Sequence, residues 1–307
     1  MWYALFEKRV NFHHKSFYIS DKGGFCFGKF KRKEKGNHGH NRQPQGRGIE
    51  DDDNNYAAYC LAKRGIRTLV CDFDPQGNAT KNLFLTAAAH AGPDEKPLAI
   101  GKTLMAGVSE KSLKGLPLQI MPNLFLLPSF IDFESFPKYL YQEVPDDAID
   151  FVMSTLLDDI KGDYDIVLID TPPMSLEITN NAIVASDYVL IPMQTQERSL
   201  SGVESYLSRL QDLATEYQLP LLVMGILPVL LDKSKVDEYI LQNAVEEFGE
   251  PNIFKTVIKK MERLKRFDIT GITEKDMHDK NVVAKFDEVT DEFLVRLNIL
   301  QDMKKKV

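Results

Sequence analysis

The apolar positions of this chain change their period along its length. From Tyr59 onward, short unbroken apolar runs alternate with stretches in which apolar residues return every three or four positions. That is the order in which strands and helices follow one another in parallel-sheet proteins. Residues 66–73 (IRTLVCDF), 165–170 (DIVLID), 188–192 (YVLIP) and 221–227 (LLVMGIL) read as strands. They show no polar alternation, so helices are expected on both faces of a mostly parallel α/β sheet. Residues 57–64 read as the end of a helix stopped by Gly65. Residues 147–160 carry Ile149, Val152, Met153, Leu156, Leu157 and Ile160 at helical spacing, and residues 200–217 and 235–248 read as further helices. The C-terminal stretch places Val282, Val283, Phe286, Val289, Phe293, Leu294, Leu297 and Leu300 on one face, followed by Lys304, Lys305 and Lys306. A membrane-lying helix has that form, but a helix packed on the sheet with a solvated tail has it too, and the second reading is preferred.

The first 55 residues are different in kind. Phe17-Tyr18-Ile19-Ser20 reads as a short strand. Residues 21–55 then hold seven of the 18 glycines and a single aliphatic residue, Ile49, and end in Glu50-Asp51-Asp52-Asp53-Asn54-Asn55. Such a segment buries too little surface to offset its ordering entropy, and is expected to be disordered. The chain therefore divides into an aberrant N-terminal segment, 1–56, and an α/β domain, 57–307.

Acids outnumber bases 45 to 38, a net charge of -7. This excludes a globally basic nucleic-acid binder and leaves only a local patch for such contact. Cys26, Cys60 and Cys71 are odd in number and lack CxxC spacing, which argues against a disulfide framework or zinc ribbon and for a reducing cytoplasm. His13, His14, His38 and His40 fit no metal-ligand spacing. No signal peptide is recognisable, and the longest apolar run, 219–231, is broken by Pro220, Gly225 and Pro228. It reads as a buried strand with its boundaries in a chain without membrane spans.

Two strand ends carry chemistry. In Cys71-Asp72-Phe73-Asp74-Pro75-Gln76-Gly77-Asn78-Ala79-Thr80, two carboxylates two residues apart are expected to project together into the crevice where open parallel sheets bind ligands. Paired acids there suit a Mg2+ shell and an attacking water. In Ile166-Val167-Leu168-Ile169-Asp170-Thr171-Pro172-Pro173, an apolar strand ends in one aspartate, the Walker B arrangement that holds Mg2+ through its water shell.

With GIRTLVCDFDPQGNAT (65–80), YDIVLIDTPP (164–173) and NNAIVASDYVLIPMQTQERSLSGV (180–203), the chain resembles the ParA family of partition ATPases, the deviant Walker A or MinD-like group. The resemblance runs from about Ala57 to the C-terminus. It implies a P-loop NTPase fold, Mg2+-ATP, an ATP-bound homodimer on nonspecific DNA, and a ParB-type adaptor that stimulates hydrolysis. It implies a cytoplasmic, nucleoid-associated protein without stable membrane association. On matching positions, Asp74 is the hydrolytic acid, Asp72 its strand-end companion and a metal-site acid, and Asp170, with Thr171 beside it, the Mg2+-linked Walker B acid.

A basic stretch fits the same picture. Lys255, Lys259, Lys260, Arg263, Lys265 and Arg266 fall within 12 residues, against Glu262 alone. The order Ile258 to Leu264 resembles the family's IPRNVRL segment, with Lys260 and Arg263 where the family has arginines and Lys259 in place of its proline. Clustered bases attract phosphates by counterion release, so Lys259, Lys260, Arg263, Lys265 and Arg266 are candidate DNA contacts; an ordinary solvated helix face is the alternative.

The resemblance fails at the family's defining loop, KGGVGKT, whose backbone N–H groups wrap phosphates. The nearest match is Lys22-Gly23-Gly24-Phe25-Cys26-Phe27-Gly28-Lys29-Phe30. It matches GxxxxGK from Gly23 and nominates Gly23, Gly24, Gly28 and Lys29 for the nucleotide, but Phe30 stands where Ser or Thr would ligate Mg2+. Reverse translation offers a cause. Shifted by one base, the codons of Lys31-Arg32 permit Lys-Gly and those of Asn37-His38 permit Thr-Thr, the spacing found in KGGVGKTT. The four codons between them do not give Gly-Val-Gly-Lys in that frame. Residues from about 21 to 56 therefore read as an out-of-frame or otherwise damaged P-loop region, and the expected function is a ParA-type ATPase impaired in ATP binding. A catalytically inactive DNA- or partner-binding relative and a MinD-like membrane-associated regulator are the alternatives.

Overall fold

The structure, a computed structural model, describes the backbone of residues 24–28 and residues 53–305, apart from 95, 173–174, 196–198 and 230–233. Seven described strands form one sheet: β1 (Gly24–Gly28), β2 (Thr68–Asp72), β3 (Leu118–Met121), β4 (Leu124–Leu127), β5 (Ile166–Thr171), β6 (Tyr188–Gln194) and β7 (Leu222–Val229), in the order β3-β4-β2-β5-β1-β6-β7. Only the β3–β4 pair is antiparallel. The chain leaves β1 for β2 on one side and later leaves β5 for β6 on the other. Reversals of this kind open a crevice at the carboxyl ends of the strands, here between β1 and β5.

Helices cover both faces, as the unbroken apolar strands require. On one side lie α1 (Asp53–Lys63), α2 (Asn78–His90), α9 (Glu262–Thr270) and α10 (Met277–Lys304). On the other lie α3 (Leu104–Ser109), α4 (Phe136–Glu143), α5 (Val152–Asp158), α6 (Leu176–Val184), α7 (Ser199–Glu216) and α8 (Lys235–Phe248). Along β2, Leu69 and Cys71 face the second layer while Val70 faces the first, the two-residue alternation of a strand.

Several sequence expectations meet corrections. The segment taken as disordered contains β1, which pairs with β5 along its length and with β6 over Phe25–Phe27, and α1 begins at Asp53, inside that segment. A central strand is held by its peptide groups on both sides, so Gly-Phe-Cys-Phe-Gly pairs there without a run of aliphatic side chains. Residues 147–160 begin as a 3-10 turn, Asp146–Phe151, and become α-helical only at Val152. The expected strand at 17–20, His13, His14, His38, His40, Gly23 and Lys29 lie outside the described residues.

The C-terminal helix is a core helix. Val282, Val283, Phe286, Val289, Phe293 and Leu297 are buried, and the Phe286 ring lies 4.5 Å from that of Tyr56 on α1. The apolar face that a membrane-lying helix needs is thus already covered by protein. Among the described residues, no helix is long and apolar enough to cross a membrane.

Candidate functional site

The two acidic strand ends meet. Asp72 and Asp170 are register partners on adjacent strands β2 and β5, and Phe73 N donates to Asp170 O at 2.8 Å just beyond them. On the other side of β5, Phe27 is the partner of Asp170 and Gly28 that of Thr171. The ends of β1, β2 and β5 therefore form one floor at the mouth of the crevice. Asp170 is half-buried there and Thr171 is buried.

Asp72 is fully buried, and both carboxylate oxygens accept hydrogen bonds from nearby residues of the chain. Asp74 N donates to Oδ1 at 3.0 Å; Thr80 N and Thr80 Oγ1 donate to Oδ2 at 2.8 and 2.7 Å. A carboxylate so engaged holds the strand-to-helix turn and is not presented to metal or water. β2 ends at Asp72, and Asp74 lies in the following turn. Burial pushes the Asp72 carboxyl up to about 7, against the hydrogen bonds from Thr80 that favour its charged form.

Asp74 is half-buried at the surface of that turn. Its Oδ1 accepts from Gln76 N at 2.9 Å, and its carbonyl accepts from Gly77 N at 2.9 Å. Gly77 has φ 61°, a left-handed conformation that glycine adopts without strain, and from it the chain enters α2. The turn is tied to a third element, because Ser129 N, just after β4, donates to Thr80 Oγ1 at 2.9 Å. Thr80 thus accepts from one segment and donates to another. Sequence reasoning quoted Thr80 without giving it a role and missed Ser129, since the contact spans 49 positions.

The formal GxxxxGK match fares differently. Gly24 and Gly28 are the two ends of β1, each paired with β5, and Phe25-Cys26-Phe27 between them pairs with both β5 and β6. Gly28 thus stands at the carboxyl end of β1, beside Thr171 of β5, and the rest of the formal match from Lys29 onward lies outside the described residues. Among the described residues, no group of three or more His, Cys, Asp or Glu side chains is gathered as a metal cluster. Among the described residues, Asp170 on β5 and Asp74 in the turn after β2 are the acids at this mouth, and the Gly23 and Lys29 ends of the GxxxxGK stretch lie outside them.

The basic segment lies at another place, between β7 and α10. Lys255, Lys259, Lys260, Lys265 and Arg266 are exposed. Lys265 Nζ is 3.1 Å from Glu262. Arg263 is more enclosed: its guanidinium is paired with Asp276 through one NH2 group and with Asp279 through Nε at 2.5 Å. The Arg263 charge is thus met by two acids of the same chain.

Fold and site together define a P-loop NTPase-like α/β protein whose acids converge at the carboxyl ends of β2 and β5. The family model described as an AAA domain matches residues 54–224, and the chain belongs to that family, as a ParA-type partition ATPase homologue. It is 29% identical over 219 residues to the chromosome-partitioning ATPase Soj of Treponema pallidum (strain Nichols), covering 71% of this chain and 80% of that protein. Among solved structures, it is similar to apo McdA of Cyanothece, with a TM-score of 0.67 and 21% identity over 89% of this chain and 99% of that one. It is equally similar, at a TM-score of 0.67 and 17% identity over 89% and 99%, to a putative plasmid partition protein of Borrelia burgdorferi B31 bound to AMPPNP.

Proposed function

We propose that this chain is a ParA-type DNA-partition protein that retains the acidic half of an ATPase site and is impaired in binding Mg2+-ATP. The observation that supports this is in the sequence: the stretch next to the Asp170 strand reads Lys22-Gly23-Gly24-Phe25-Cys26-Phe27-Gly28-Lys29-Phe30, not KGGVGKT, with Phe30 in place of the Ser or Thr that would ligate Mg2+. The partition reading rests on the family, with an ATP-bound homodimer, nonspecific DNA and a ParB-type adaptor as its working parts, and with the nucleoid as its place of action. Asp74 is the acid positioned for hydrolysis, Asp170 the acid for the hydrated metal, and Asp72 with Thr80 the support of Asp74. Phosphoryl transfer depends on positioning and on charge neutralisation, so these acids without a cradle have no positioned phosphate to act on. A membrane role is disfavoured because the C-terminal helix spends its apolar face on α1 and the sheet.

The test is ATP turnover and Mg2+-ATP binding by the purified full chain. Both are expected to be negligible. Replacing residues 21–56 by a family-type KGGVGKT segment and its helix restores both, and Asp74→Ala in that background abolishes turnover. Robust, Asp74-dependent hydrolysis by the unaltered chain sinks the proposal. The nucleotide sequence tests the cause: if no alternative frame encodes KGGVGKT in this region, frame damage is not the explanation.

A further inference from the structure

The Arg263 ion pairs carry a consequence for DNA contact, which rests on the reading of the basic segment as a DNA surface. On α9, Leu264 and Phe267 are buried against the core, and Lys265 and Arg266 face solvent. Arg263 lies at the side of the helix, 18% exposed, with its guanidinium between two carboxylates at the start of α10. Asp276 caps that helix by accepting from Asp279 N at 2.9 Å, and its other oxygen takes Arg263. Asp279 is 2% exposed and accepts from Arg263 Nε, from Thr273 Oγ1 at 2.6 Å and from Lys275 N at 3.0 Å. Two carboxylates around one guanidinium present the charge and oxygen acceptors that a phosphodiester would offer.

We propose that Asp276 and Asp279 form an internal phosphate mimic that withholds Arg263 from DNA, so that this arginine adds to binding only when the clamp opens. The surroundings allow opening. Asp276 is 44% exposed, so water replaces its share of the pair. Asp279 keeps its hydrogen bonds from Thr273 and Lys275 after the guanidinium leaves, so a buried carboxylate is not stranded. The clamp thereby sets a ceiling on what Arg263 adds to nonspecific affinity.

The experiment measures affinity for random-sequence duplex DNA, by fluorescence anisotropy with Mg2+-ATP present, across 50 to 200 mM salt. It uses the full chain and the chain carrying the family-type KGGVGKT segment; no binding by either overturns the DNA surface and the clamp with it. Each phosphate contact contributes about 0.9 to the slope of log affinity against log salt, or about 3.5-fold across that range. Arg263→Gln is expected to leave the slope of the full chain unchanged. Asp276→Asn keeps an acceptor for the helix cap and steepens the slope in part; Asp276→Asn with Asp279→Asn steepens it by about one contact. A slope shallower by about one contact in Arg263→Gln shows that this arginine already touches phosphate and overturns the clamp. So does a wild-type slope in folded Asp276→Asn, a variant that remains informative if the double variant loses its circular dichroism signal. Lys265→Gln with Arg266→Gln separates the two ideas: if it leaves binding unchanged, the DNA surface itself is misplaced and the clamp falls with it.

Discussion

Thr80→Val is the sharpest probe of the acidic turn. Valine matches threonine in shape and removes only the hydroxyl, which sits at a residue 7% exposed. That hydroxyl accepts from Ser129 N at 2.9 Å and donates to Asp72 Oδ2 at 2.7 Å. Its loss leaves the Ser129 N–H without this acceptor, at about 1–3 kcal/mol for a buried donor. It also removes one of three donors from a fully buried carboxylate, a bond to a charged group of about 1.5–3 kcal/mol. The two share one atom, so simple addition overstates the loss; about 3–4 kcal/mol is the working value. Chemical denaturation of the full chain, followed by circular dichroism, reads this as a drop in midpoint at constant slope. Thr80→Ser keeps both bonds and loses only a methyl group, so about 1 kcal/mol is expected. A Thr80→Val protein within 1 kcal/mol of wild type, or a serine variant as weak as the valine one, refutes the argument that Thr80 joins β2, α2 and β4.

Gly271→Ala tests a close approach: φ is 71°, and an added Cβ would overlap the Leu85 carbonyl carbon and Thr86 N of α2. A loss of about 3 kcal/mol or more is expected in the same denaturation assay, and a neutral variant rejects that packing. The pH dependence of stability has a definite sign. Burial raises Asp72 to about 7, and a hydrogen bond with Glu204 followed by burial raises Glu247 to about 7. Both acids bind their protons more tightly folded than unfolded, so their contribution is complete below about pH 4 and is lost as pH rises through about 7. Glu247→Gln should flatten part of the fall in denaturation midpoint between pH 5 and 7; an unchanged slope counts against the Glu204–Glu247 contact. Lys259→Gln with Lys260→Gln should weaken binding to all DNA sequences alike and flatten its salt dependence by about two contacts in a gel-shift series.

The alternation of apolar runs and helical repeats was enough to place β2, β5, β6 and β7, and the helices α7, α8 and α10, because burial on both faces writes itself into composition. The two acidic strand ends were legible for a related reason: strand, acid and turn residues follow one another locally, as Ile166 to Pro172 does. The hairpin of β3 and β4 went unread, since four-residue strands carry too little pattern to stand out. β1 went unread because a central strand needs only paired peptide groups, and Phe25-Cys26-Phe27 between glycines has no periodicity. What each acid does was decided only in three dimensions. Asp72 and Asp74 are two residues apart in a string that treats them alike, yet Thr80, eight residues on, claims the first and leaves the second at the surface. Arg263 is one cation in a basic run until the fold brings Asp276 and Asp279 against it. Sequence thus determined which charges the chain owns and which elements carry them. Tertiary structure decided which of those charges are spent on the chain itself, because a hydrogen bond or ion pair depends on the partner that folding brings within reach.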